Sequence, residues 1–499
     1  MIAASRPHPT TRRPADPAAG AIPTTTYRAL PELRQRGWTR ITALAAAPTL
    51  LAIPANAQLP TPPEPSPYTR AIAAGYKALT LCSGIFNARE SGVQRSRASI
   101  ETHELRGIYR EYDAIIGAMP STIDEQGDRV LVEYDPDMPP RVARVETGGG
   151  CTILPIGVDV GATGQRLRFD PGPFARAPWR LRDEPKDFAS GPLRNAVDGA
   201  FAGSRYGNGV NTTAVIVTRD GRHVAERYAR GFTTRTPQRT WSVAKSMAGT
   251  LLGIGVDLKL LDVKLPAPIP EWQHTGDPRR AITLDHLLRM ASGLYSPTAG
   301  NRTDAVYFGG TAVTEETVAW PLIARPNSTF RYANNDILLA VRALEHRYQQ
   351  TYASPLPANV LLFARLDMAD TYAEQDWRGN YILSSQVWST ARDLARLGQF
   401  WLQDGVWQGK RLLPEGWMRY MTTPSGPQPA TGPGYGATMW LFGPAQGLPA
   451  GSYAAQGNRG QYVMVIPSKK LVIVRRGEDP GTARFDIARF AADVIAATP

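Results

Sequence analysis

Cysteine is nearly missing from this chain. There are two in 499 residues, Cys82 and Cys151, and neither has a His or Cys neighbour at zinc-type intervals. That excludes a densely cross-linked scaffold and a structural zinc module. Histidine is also scarce, and His223, His274, His286 and His346 are scattered without ligand spacing. No metal and no cofactor is therefore expected. Past the leader, no apolar run reaches the length of a membrane span, which predicts a soluble mature protein. The formal net charge is +12, yet no dense Lys/Arg cluster is interleaved with aromatics, so a nucleic-acid surface is not expected. Five of those positive charges belong to residues 1–57, where seven Arg face only Asp16 and Glu32. The remaining excess favours solubility and weak attraction to anionic envelope polymers.

What is present divides the chain into segments. Hydrophobic residues make up 42% of the sequence, enough for one large or two ordinary cores. Arg34, Arg36 and Arg40 precede the apolar run Ile41 to Ile53, and Ala55, Asn56 and Ala57 then form an A-x-A cleavage pattern. Residues 1–57 read as a signal peptide with a long leader, and the mature protein as secreted or periplasmic. A short buried helix is the alternative, against which Pro48 argues. Arg12 and Arg13 lie too far from the run to act as a twin-arginine signal, and the true start codon stays open. Residues 58–68 are a Pro-rich linker. Residues 69–185 read as an accessory segment, with a helix over Arg70 to Leu81, strands over Val130 to Tyr134 and Val142 to Val145, and a turn at Gly148 to Gly150. That glycine run lacks the GK[ST] of a phosphate loop. In an oxidising compartment Cys82 and Cys151 can close a loop of about 70 residues, worth ~4 kcal/mol on the entropic model; two buried free thiols are the alternative.

Residues 186–499 carry the chemistry. Leu193 to Phe201 has helical spacing, and Thr213 to Thr218 and His223 to Tyr228 read as strands turning at Asp220 and Gly221. Thr283 to Met290 opens with a capping Thr. Tyr435 to Phe442, Gln461 to Ile466 and Leu471 to Arg475 read as late strands. Strands at both ends with helices between predict one mixed domain whose sheet joins early and late parts of the chain. Within it, Thr240 to Leu252 places Ser242 and Lys245 one helical turn apart on one face. A serine hydroxyl needs a neighbouring base, which a desolvated, neutral lysine supplies. A helix N-terminus also aims backbone N–H groups at any oxyanion formed there. Taken alone, S-x-x-K recurs by chance about once in a chain of this length.

Five blocks in order make the pattern specific: WSVAKS, ITLDHLLRMASGL, FRYANND, STARDLARLGQFWLQDGVWQGKRLL and GNRGQYVMVIP. Residues 190–495 resemble the serine hydrolases related to class C β-lactamases and DD-peptidases, a family that includes esterases and 6-aminohexanoate-dimer hydrolases. The resemblance implies an α+β fold of three α/β/α layers with an antiparallel sheet, and a mainly helical subdomain inserted at about 255–380. It implies Ser242 as nucleophile, Lys245 as its activating partner, and Tyr332 with Asn334 as a Y-x-N motif in which Tyr332 serves as general acid or base. A phenol works near neutral pH when a cation lowers its pKa, and Lys245 is the expected cation. The usual K-T-G or H-x-G motif is replaced by Asn458, Arg459 and Gly460. Gly460 is expected to allow close approach of substrate and Gln461 to complete the oxyanion hole, with Arg459 pointing to solvent or, as the alternative, turning inward to attract a substrate carboxylate. Without the usual lysine, recognition of a substrate carboxylate is weakened. The expected activity is an esterase or small-amide hydrolase acting on a small-molecule substrate. A DD-peptidase or β-lactamase, and a non-catalytic binder or sensor on the same fold, are the alternatives. No G-x-S-x-G elbow encloses Ser242, and oligomeric state is not readable.

Overall fold

The structure is a computed structural model and describes residues 64–146, 149–159, 191–295 and 303–498. The signal-peptide reading, most of the linker, Gly148 of the expected turn and the stretch 161–185 lie outside the described residues.

The described chain opens with helix α1 (Pro67–Glu90). The Ser66 hydroxyl accepts from the Thr69 N–H at 3.1 Å, and Pro67 occupies the first position, where a missing N–H costs nothing. The last linker residues are thus the start of a helix. That helix runs well past Leu81 because it is buried on nearly every side from Ala71 to Gly84, which hides its periodicity. Short helices α2 (Arg97–Ile100) and α3 (Arg110–Ile116) follow. Strands β1 (Ser121–Asp124), β2 (Arg129–Val132), β3 (Arg141–Val145) and β4 (Cys151–Ile153) then form an antiparallel meander against α1. A disulfide between Cys82 and Cys151, with Cα atoms 6.1 Å apart, ties helix to sheet.

After α4 (Gly191–Phe201), β5 (Thr212–Arg219) turns into β6 (Arg222–Tyr228) through Asp220 and Gly221, at φ 50° and 73°. Two left-handed residues give the turn whose twist suits a hairpin. Strand β7 (Gln238–Arg239) leads to α5 (Val243–Asp257), followed by α6 (Leu284–Leu288), α7 (Val313–Glu316) and α8 (Asn334–Tyr352). Thr283 caps α6 by accepting from the His286 N–H at 3.1 Å. Strands β8 (Thr371–Ala373) and β9 (Val387–Ser389) pair with β7 in the order β7-β9-β8. Helix α9 (Ala391–Leu402), the small hairpin β10 (Val406–Trp407) and β11 (Lys410–Arg411), and α10 (Trp417–Thr422) precede the late strands. These are β12 (Gly434–Tyr435), β13 (Trp440–Phe442), β14 (Ser452–Gly457), β15 (Gln461–Ile466) and β16 (Leu471–Gly477), with α11 (Ile487–Ala497) last.

The main sheet runs β12-β13-β14-β15-β16-β5-β6, antiparallel throughout. Side chains alternate between its faces. Ile216, Val463, Val465, Val472 and Val474 join the core with α5 and α9. Val215, Val217, Met464, Ile466 and Ile473 join the core with α4 and α11. The result is three layers, helices on both faces of one antiparallel sheet. The sequence reading of Tyr435 to Phe442 as one strand differs from the structure, where Thr438 at φ 65° turns the chain back so that Tyr435 faces Trp440.

The segment around α1 is fastened to the turn Ala305–Gly309. The buried Arg141 guanidinium donates to the carbonyls of Ala71 (2.7 Å), Leu154 (2.9 Å), Phe308 (3.1 Å) and Gly309 (3.1 Å). At Gly75 a Cβ would run into the Phe308 carbonyl, so the helix backbone lies directly against that turn.

Candidate active site

Ser242 sits at the cap position of α5, half-buried, with φ −68° and ψ −3°. Before it, Trp241 is held at φ 51°, a costly conformation for a bulky residue that the surrounding packing must enforce. The N–H groups of Val243, Ala244 and Lys245 turn back to the carbonyls of Thr240, Trp241 and Ser242. Its own hydroxyl makes no capping bond to the helix, which leaves it to the site.

Lys245 lies one turn on and is 1% exposed. Its Nζ donates to Ser242 Oγ at 3.0 Å, to Asn334 Oδ1 at 2.5 Å and to the Ser384 carbonyl at 2.8 Å. Burial first, and then the Arg239 guanidinium, lower its pKa to about 7. Near neutral pH much of this amine is therefore unprotonated, as a base must be. Asn334 reaches it because α8 begins there, after Ala333 in extended conformation.

Tyr332 completes the cluster, with Lys245 Nζ 4.9 Å from its ring centroid. Burial raises the phenol well above its ordinary value; a hydrogen bond with Ser242 opposes this, and Tyr307 adds to it. The expectation that Lys245 would depress this phenol is corrected here. Lys245 is not among the groups that shift it; desolvation of Tyr332 decides and keeps its proton on. Burial thus moves the two groups in opposite directions, Lys245 down and Tyr332 up.

The third-motif residues are placed differently from the others. Asn458, Arg459 and Gly460 form the turn between β14 and β15, closed by the pair Gly457 and Gln461. Asn458 Oδ1 accepts from the Arg459 N–H at 2.9 Å. At Gly460, φ is 78° and a Cβ would run into Arg475 and Asp479, so its close neighbours are those two side chains. The Gln461 side chain is fully buried, accepting from Arg476 Nε at 2.6 Å and donating to the Gly477 carbonyl. Arg459 does not face solvent, another correction. It is buried, with Nη1 2.5 Å from Glu478 Oε2, and donates to the carbonyls of His103, Glu478 and Asp479. A buried carboxylate draws it in. The glycine that approaches the segment leading into Ser242 is Gly457, where a Cβ would meet the Thr240 carbonyl and lie 3.1 Å from Trp241 Cβ.

Sequence reasoning also missed the Ser384 carbonyl and Tyr307, whose hydroxyl is 2.6 Å from Ser384 Oγ. Neither carries a local signal, because Ser384 reaches Lys245, and Tyr307 reaches Ser384, from distant segments. Among the described residues no group of three or more His, Cys, Asp or Glu is arranged to hold a metal, and no helix is long and apolar enough to cross a membrane.

A serine, a buried amine and a paired Tyr and Asn at the edge of this sheet can be compared with known proteins. The Beta-lactamase family model matches residues 197–497. The chain belongs to the Beta-lactamase family. Among curated members, it is 27% identical over 302 residues to 6-aminohexanoate-dimer hydrolase of Paenarthrobacter ureafaciens, covering 54% of this chain and 74% of that one. A Bacillus anthracis protein provisionally named a 6-aminohexanoate-dimer hydrolase superimposes with TM-score 0.50 at 23% identity, over 62% of this chain and 81% of that one. A family VIII carboxylesterase does so with TM-score 0.50 at 13% identity, over 63% and 99%. These two structures share the fold. Membership of this serine hydrolase family implies a small-molecule substrate.

Proposed function

We propose that this protein cleaves ester or small linear amide bonds through an acyl-enzyme on Ser242. The carrying observation is Lys245, buried, titrating at about 7 and 3.0 Å from the serine hydroxyl. Ser242 Oγ attacks the carbonyl carbon as its proton passes to the neutral Lys245 amine. The oxyanion is held by the Ser242 N–H at the helix start and by a second backbone donor. We assign that donor to Gly457–Asn458 rather than Gln461, since β14 ends against Thr240 and Trp241. As the carbonyl re-forms, the Tyr332 phenol protonates the departing alkoxide or amine and is reprotonated by Lys245. Water then attacks the acyl-enzyme, giving its proton back through the same pair and releasing the acid.

The ester and linear-amide ranking is supported by the dimer hydrolase relative and by a third motif without lysine, its one cation already paired with Glu478. Both weigh against a β-lactamase or DD-peptidase, whose substrates are held partly by a carboxylate. The test is intact mass after a fluorophosphonate ester, in wild type and Ser242→Ala, followed by p-nitrophenyl esters and linear amides. One adduct, confined to wild type, is expected. An unmodified, folded wild type would mean a binder on a hydrolase fold. We also propose export, supported by the Cys82–Cys151 disulfide, because such bonds persist in oxidising compartments. Sequencing the mature N-terminus from secreting cells should read from Gln58; retention of the leader in an intracellular pool would overturn it.

A further inference from the structure

Most buried arginines of this molecule are compensated. Arg475 pairs with Asp479, Arg95 with Glu104, Arg396 with Asp393 and Arg459 with Glu478. Arg476 donates to Gln461 and to the carbonyls of Ser389, Gln238 and Arg239. Arg239 has neither kind of compensation. It ends β7 three residues before Ser242 and is 4% exposed. Its guanidinium lies 3.8 Å from the Trp241 ring centroid and 5.8 Å from those of Tyr307 and Phe308. Its side chain makes one hydrogen bond, from Nη2 to Ser385 Oγ at 3.0 Å, and Nε has no acceptor. Among the described residues it forms no ion pair.

Ser385 is the neighbour of Ser384, whose carbonyl receives Lys245 Nζ at 2.8 Å. Two cationic heads therefore end on adjacent residues in a buried place. A guanidinium does not give up its proton there, whereas a buried ammonium does.

We propose that Arg239 is a positioning residue whose fixed, unpaired charge keeps Lys245 in its neutral, proton-accepting form, while the rings of Trp241, Tyr307 and Phe308 keep water and counter-ions from screening that charge. This rests on the reading of Lys245 as the base. The other groups facing the pair do not cancel the effect. Tyr332 and Tyr307 keep their protons because burial raises both phenols. Asp336, two residues beyond Asn334, accepts from Ser292 at 2.8 Å. Glu374, on the Arg239 side, accepts from Ser83 and the Cys151 N–H, and burial raises its pKa to about 7. After burial, Arg239 is the cause that lowers the lysine.

The experiment is the second-order rate of Ser242 modification by a fluorophosphonate ester, read by intact mass across roughly pH 5 to 10. Wild type should show an acid limb near 7, where Lys245 titrates. Arg239→Gln should move that limb up by about one pH unit, so that the rate on its acid side falls roughly tenfold while the alkaline plateau changes little. Arg239→Lys, which restores a cation, should return the limb toward wild type. A lowered plateau with an unmoved limb in Arg239→Gln overturns the inference and leaves Lys245 as the base. A folded wild type with no adduct, or with no acid limb, overturns the Lys245 reading instead. Should Arg239→Gln not fold, Glu374→Gln removes the carboxylate that partly offsets Arg239 above about 7 and should move the limb down; an unmoved limb there overturns the inference too.

Discussion

At the residue scale, the site is a chain of dependences around one amine. Lys245 is placed by three acceptors, one of them the Ser242 hydroxyl at 3.0 Å, and burial lowers its pKa. Residues that act as a unit give non-additive losses. Ser242→Ala and Lys245→Ala should each lower turnover by on the order of 10³ or more, and the double variant by little beyond either; ester hydrolysis by the three purified proteins checks this. Gly457→Ala introduces a methyl against the Thr240 carbonyl. The strand or the nucleophile's backbone must shift, so activity should fall at least tenfold, with a stability cost of about 1–3 kcal/mol; activity and melting of the variant decide it.

The spacing of Ser242, Lys245, Tyr332 and Asn334 was readable because each pair is local, within one helix turn or one Y-x-N triplet. The residues around them were not. Arg239, Tyr307 and Ser384 gather only when the β7-β9-β8 sheet and the Ala305–Gly309 turn are in place. The same reason explains the third motif. The family resemblance pointed to Gly460 and Gln461, but only the hairpin register, with Gly457 opposite Gln461, tells which glycine approaches the Ser242 segment.

At the scale of elements, legibility followed local chemistry. The β5–β6 hairpin, with Val215, Ile216 and Val217 before Asp-Gly and Val224 after it, and the Thr-capped α6 were evident from sequence. Strand β14, Ser-Tyr-Ala-Ala-Gln-Gly, was not, since it holds no β-branched residue; it is a strand because β13 and β15 pair with it on both edges. The attachment of α1 was equally hidden. Arg141→Met should leave four buried carbonyls without their donor and lower stability by on the order of 3 kcal/mol. The Ala305–Gly309 turn carrying Tyr307 and Phe308 should loosen with it. Denaturant unfolding and hydrogen exchange at that turn would measure both effects, and an unchanged midpoint would count against the clamp.

At the scale of the molecule, the segment before residue 160 and the hydrolase layers share buried charge. Arg459 from the β14–β15 turn donates to the His103 carbonyl, and Arg95 pairs with Glu104 nearby at 2.9 Å. Replacing both Cys82 and Cys151 with Ala releases a 69-residue separation. It should reduce stability by about 4 kcal/mol on the loop-entropy estimate. Reductant should shift the melting temperature of wild type and not of the double variant.

Strand β16 lies between β15 and β5, with Val472 opposite Thr218 and Val474 opposite Ile216. The sheet beside Ser242 therefore waits on the end of the chain. Ser242 and Lys245 precede β14, β15 and β16, which close the sheet beside them, by more than two hundred residues. Until those arrive, β5 has an open edge, Gly457 is absent from the serine's side, and the Gln461 and Arg476 contacts beneath β7 do not exist. The arrangement around Ser242 is complete only once the last hairpin has paired.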